Sequence, residues 1–231
     1  MTKNWTITLL PALLVFWASC AGLTHHKDDA ALSPVKKVAV VGFAVVEPYP
    51  PNFSFKEKHF PEIDQMYLGL AKAFDKLGWK TMPLAAMRTN PGYKKAYADT
   101  MEGFQNKMPV ADKHRRLLVG EVMDNESLRV MGTEGRDNLM KALGVDALVT
   151  AQIDVLLSGT TVLGIGSMYP YANLQFQVYT RGKSTADWFE GAIEGEKAEK
   201  SIGSTALTLD VELMNRLALE SARTAFAKIQ K

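Results

Sequence analysis

The nine residues Val38-Ala-Val-Val-Gly-Phe-Ala-Val-Val46 constrain this chain more than any other stretch. The run is continuous rather than alternating, and β-branched side chains dominate it. A half-exposed strand alternates apolar and polar residues; a strand with no polar position is buried on both faces, in the middle of a sheet. Lys36 and Lys37 open the run. Glu47-Pro-Tyr-Pro-Pro51 closes it, because consecutive prolines cannot donate to a β-ladder.

Helical and strand patterns follow in alternation. From Pro61 to Leu77, apolar residues recur every three or four positions (Ile63, Met66 or Tyr67, Leu70, Phe74, Leu77), and Gly78 stands where a helix-terminating glycine belongs. Trp79 to Leu84 reads as a short second strand beside the first. Residues 88–132 are the least legible: Asn90-Pro91-Gly92 signals a turn, Tyr93 to Gln105 a helix, and Leu117-Leu-Val-Gly120 a short apolar patch. Thr133 is the expected cap of a helix that carries Leu139, Met140 and Leu143 inward and stops at Gly144. Val145 to Val155 then reads as a strand.

After the glycine-rich loop Gly159 to Gly166, Tyr171 to Thr180 alternates cleanly, with Ala172, Leu174, Phe176 and Val178 against Asn173, Gln175, Gln177 and Tyr179. Arg181 to Thr185 is a turn. Trp188 to Glu196 is expected as another strand, with Phe189, Gly191 and Ile193 on one face and Trp188, Glu190, Glu194 and Glu196 on the other, solvated face. Thr205 to Lys231 reads as a long terminal helix with the stripe Val211, Met214, Leu217 or Ala218, Ala222, Ala225 or Phe226 and Ile229. The sum is an α/β class fold: a small sandwich with a mixed sheet flanked by helices, in the order β-α-β-(variable)-α-β-β-β-α.

The N-terminal segment has a different character. Lys3 and the free amine precede an uncharged apolar run, Thr6 to Trp17, too short for a hydrocarbon core of about 30 Å, which needs ~20 residues. Ala18-Ser19 then places small residues before Cys20, the one cysteine of the 231 residues. This resembles the bacterial lipobox, with Trp17 where leucine is usual. The resemblance implies a signal peptide over 1–19 and acylation of Cys20. It also implies a lipid-anchored tether over 20–35 and a single periplasmic domain over 36–231. Two or three acyl chains anchor stably, since each buried methylene contributes about 0.8 kcal/mol. Ala21, rather than aspartate, after the cysteine favours the outer membrane.

Composition closes several routes. A formal net charge of +2 lacks the concentrated basic surface that nucleic acid requires. One cysteine excludes a disulfide framework and a thiolate zinc site. His25 and His26 read as solvated tether residues, and His59 and His114 as surface histidines outside any nucleophile-elbow or metal motif. Gly182-Lys183-Ser184-Thr185 lacks the glycine and the strand–helix context of a phosphate loop and reads as a hairpin turn. No cofactor or metal is expected. The aromatic loops carrying Tyr49, Phe53, Phe55, Tyr169 and Tyr171 form a candidate partner surface.

Three features carry a family resemblance: the Val38 to Phe43 strand, Leu143-Gly144-Val145-Asp146 leading into Ala147 to Ile153, and the turn Tyr179 to Ser184. Over most of residues 36–231 the chain resembles the periplasmic domain of the curli-secretion lipoprotein CsgG, the penicillin-binding-protein activator LpoB and the N-terminal domain of TolB. The resemblance implies a non-enzymatic, lipid-anchored envelope protein that binds a protein partner, or a second copy of itself, as an assembly, secretion or regulatory component. The alternatives are a subunit of an oligomeric outer-membrane secretion channel, or a ligand-binding receptor or unrecognised enzyme.

Overall fold

The computed structural model describes residues 25–46, 60–107, 116–159, 166–203 and 210–230, with side chains left out for 103–107 and 116–118. The strands are β1 (His25–Lys27), β2 (Lys37–Val46), β3 (Lys80–Thr81), β4 (Arg116–Leu118), β5 (Ala147–Ser158), β6 (Tyr169–Thr180) and β7 (Trp188–Glu194). The helices are α1 (Asp29–Leu32), α2 (Phe60–Lys76), α3 (Leu84–Thr89), α4 (Pro91–Lys107), α5 (Ser127–Leu143) and α6 (Val211–Ala227).

The strands form one mixed sheet in the order β1-β7-β6-β5-β2-β3, with β4 paired to the far end of β2. β2 runs parallel to β5 and β3; the other pairings are antiparallel. Every β2 residue from Val38 to Val45 is buried, as its unbroken apolar run requires. The parallel neighbours need crossovers, supplied by α2 on one side and α5 on the other. The mixed α/β architecture with flanking helices and a C-terminal helix is thus the one the sequence predicts.

Cross-strand partners share a face, which sorts the core into two layers. Val149, Ala151 and Ile153 lie opposite Val178, Phe176 and Leu174 and look toward α2 and α6. There Phe74 meets Phe176 edge-on at 5.5 Å, and Trp79 contacts both Phe74 and Trp188. The other face carries Leu148, Thr150, Gln152 and Asp154 opposite Tyr179, Gln177, Gln175 and Asn173. α4 and α5 pack against each other beside its lower half.

Several expectations change. Residues 25–35, expected to be part of a tether over 20–35, instead belong to the fold. β1 pairs with β7, Asp28 caps α1, and Leu32 and Val35 are each only 2% exposed. The variable region resolves into α3, α4 and β4. The helix expected at Thr133 begins six residues earlier, at Ser127, and is broken at Gly132, so only its second segment matches. α6 starts at Val211 rather than Thr205, because the Asp210 side chain takes the Leu213 amide at 2.9 Å and caps it there.

β7 also departs from simple alternation. Leu174 pairs with Ile193 but Phe176 with Glu190, so β7 holds one extra residue between these pairs. The bulge turns the strand over. Trp188, Glu190 and Ile193 therefore share the α2/α6 face, while Phe189 and Glu194 share the other. Trp188, expected on the solvated side, is buried between Trp79 and Phe176.

Candidate functional site

A recess of about 620 Å³ lies between α4 and α5. Asn90 sets one end of it: its Oδ1 accepts the Tyr93 amide at 3.1 Å while its Nδ2 donates to the Ala142 carbonyl at 2.9 Å. This fastens the start of α4 to the end of α5. The lining of the recess combines the apolar Ala96, Met131 and Leu139 with buried Thr100, Asn138 and the Lys95–Asp99 ion pair. Val130, just before the break in α5, stands 40% exposed beside the recess. Such a lining suits an apolar side chain of a partner with polar groups around it.

The wall of the recess is held by a buried cation. Arg136 is 2% exposed. Its Nη1 donates to the Leu128 carbonyl at 2.7 Å; its Nη2 donates to the Lys183 and Ser184 carbonyls at 2.8 and 3.1 Å and to Thr133 Oγ1 at 3.2 Å. The guanidinium lies 4.6 Å above the Tyr179 ring. Burial pushes the Tyr179 hydroxyl up from its ordinary pKa, against the opposing pull of Arg136. Arg136 thus ties both segments of α5 to the turn between β6 and β7. Asp137 adds a second tie by accepting the Gly182 amide at 2.9 Å.

Of the predicted partner-surface residues, Tyr169 and Tyr171 are described. Both are half-buried on β6, opposite Ser158 and Leu156, on the face shared with Asn173 and Gln175. Lys197 Nζ sits 5.2 Å from the Tyr171 ring. Next to them, Asp154 accepts from Gln152 at 2.6 Å and from Gln175 at 2.8 Å, forming a polar ladder over the upper half of the sheet. Cys20, Tyr49, Phe53, Phe55, His59 and His114 lie outside the described residues.

Four described serine hydroxyls are engaged within the fold. Ser158 and Ser201 donate to backbone carbonyls, Ser127 faces the Met101 sulfur, and the Ser221 hydroxyl accepts the Ala172 amide. His25 meets Glu190 at 2.7 Å on the open edge of the sheet. Among the described residues no three His, Cys, Asp or Glu side chains come together as a metal site would require, and no helix is long and apolar enough to cross a membrane. The recess between α4 and α5 and the Arg136 node are features that sequence reasoning missed. A signal for the second was present: Arg136 occupies the same helical stripe as Leu139, Met140 and Leu143.

No protein-family profile matches the chain, and no curated protein is significantly similar. Among solved structures, the lipoprotein GNA1162 from Neisseria meningitidis overlaps it with a TM-score of 0.34 and 16% identity, over 80% of this chain and 92% of that one. The overlap is partial. The resemblance to CsgG, LpoB and TolB rests on the sequence motifs alone.

Proposed function

We propose that this is a lipid-anchored protein of the cell envelope whose folded domain binds a protein partner and catalyses no reaction. The observation that carries the anchoring is the order at the N-terminus: Lys3, an uncharged apolar run, Ala18-Ser19, then Cys20. Ala21 after the cysteine favours the outer membrane, with the domain facing the periplasm. The partner surface that fits best is the α4/α5 recess, because it joins apolar lining residues to the exposed Val130 at a break in the helix.

Two measurements test the reading. Cys20→Ala should release the protein from membranes or block its processing; continued fractionation as an acylated membrane protein would refute the anchor. A photo-crosslinking residue at position 130 should capture one stoichiometric partner in the envelope, and adding Ala96→Asp across the recess in the same chain should abolish the capture. Recovery of uncrosslinked monomer alone would refute partner binding at the recess.

A further inference from the structure

We propose that the β1 edge of the sheet lies directly against the lipid leaflet, with the bilayer headgroups as its partner, and that the β3 edge points away from the membrane. The inference rests on acylation of Cys20 and adds to it the place where the fold begins. From His25 the chain is fixed: His25, His26 and Lys27 pair with Glu190, Phe189 and Trp188. The Asp28 amide then donates to the Asp187 carbonyl at 2.7 Å, Lys27 Nζ lies 5.1 Å from the Trp188 ring, and Leu32 and Val35 are buried.

Only residues 21–24 separate Cys20 from this fixed point. A chain spans at most about 3.6 Å per residue, so His25 stays within roughly 18 Å of the cysteine. Acyl chains place that cysteine at the headgroups. β1 and β3 stand at opposite ends of the strand order, five interstrand spacings apart; at about 4.8 Å each that is roughly 24 Å. The anchor therefore leaves from the edge of the sheet most distant from β3. The edge itself suits a lipid surface: among the described residues one side of β1 carries no strand partner, and exposed His26 is a polar group able to hydrogen-bond lipid phosphates, while His25 is held by Glu190 at 2.7 Å. A domain held this way does not reach across a wide compartment. Its partner must sit in, or come to, the same membrane surface.

The test uses the acylated full-length mature protein in phosphatidylethanolamine/phosphatidylglycerol vesicles that contain a headgroup-spin-labelled lipid. Because Cys20 is the one cysteine in the chain and is blocked by its lipid, an introduced cysteine is the single free thiol. Fluorophores are placed at His26→Cys on β1 and at Lys80→Cys on β3, both exposed positions. Quenching by the spin label should be at least threefold stronger at position 26. Inserting about 20 Gly/Ser residues between Gly22 and Leu23, a coil of about 25 Å root-mean-square length, should remove most of the difference. Equal quenching at the two positions in acylated protein, or stronger quenching at position 80, overturns the proposal while leaving the anchor intact. Mass spectrometry that finds no acyl group on Cys20 overturns both.

Discussion

Two tyrosines bind the helices to the central strand, and burial of their hydroxyls makes folding oppose their ionisation. Tyr67 donates to the Val40 carbonyl at 2.8 Å from α2; Tyr93 donates to the Val41 and Glu121 carbonyls at 3.3 and 3.1 Å from α4. Burial pushes both hydroxyls well above the ordinary value of 10.0, and for Tyr93 the nearby Tyr67 adds to the effect. The unfolded chain loses these protons near pH 10 while the folded one keeps them. Above that pH the folded state binds more protons, so stability falls as pH rises; below about pH 9 the contribution is flat. Urea midpoints between pH 8 and 11 should show this loss. Tyr67→Phe should cost about 1 kcal/mol at neutral pH for its hydrogen bond but flatten the alkaline slope. Arg136 makes a second residue-scale case. Arg136→Ala would strip the Leu128, Lys183 and Ser184 carbonyls of their donor, at an expected cost of about 3 kcal/mol in urea unfolding. Arg136→Lys should recover less than half of it, because one ammonium cannot span both sides of the cluster. The sequence marks Arg136 only as a charge within an apolar stripe; its acceptors are backbone carbonyls up to 48 residues away, which no side-chain pattern encodes.

At the scale of elements, the long apolar patterns were readable and the irregularities were not. β2 announces itself by nine apolar residues, and α2 and α6 by their stripes; each identity follows from local composition. The bulge in β7 leaves no comparable mark, since the extra residue is defined by the pairing with β6. β1 is still less visible: His-His-Lys has no alternation, and its partner Glu190 lies 165 residues on. Two glycines show how differently such irregularities are enforced. Gly42 sits at the register shift of β2, where a Cβ would lie 2.6 Å from Thr150 Cγ2 and 2.7 Å from the Asp124 carbonyl oxygen. There the barrier to a side chain is space. Gly132 has open space around it but adopts φ 74° and ψ 174°, a region essentially reserved for glycine. There the barrier is the backbone. Gly132→Ala should therefore destabilise the protein by about 1–3 kcal/mol without any steric clash. Because the break at Gly132 sets off Val130 and Met131 from the rest of α5, the same variant should also weaken crosslinking from position 130.

For the whole molecule, the decisive question is where the domain begins. A boundary at Lys36 fits the sequence, because the first strong strand starts there and residues 21–34 show no periodicity. The structure instead closes the sheet with β1 and seals one end of the core with Leu32 and Val35. Removing residues up to 35 would strip β7 of β1, leaving β6 as its one neighbour among the described strands, and expose the Trp188 side of the aromatic cluster, over which Lys27 now lies. Loss of the two buried side chains alone costs about 1.5–3 kcal/mol each as an upper bound, against a typical domain stability of about 5–15 kcal/mol. The freed β7 edge would also offer an unpaired ladder to another chain. A chain beginning at His25 should melt at the temperature of the chain beginning at Cys20 and remain monodisperse. One beginning at Lys36 should melt at least several degrees lower and scatter light as it associates. Equal melting temperatures for the His25 and Lys36 chains would mean that the N-terminal strand decorates the sheet without stabilising it. The proposed anchor would then hang from a longer, looser arm, and the proposed close approach of the domain to the leaflet would fail with it.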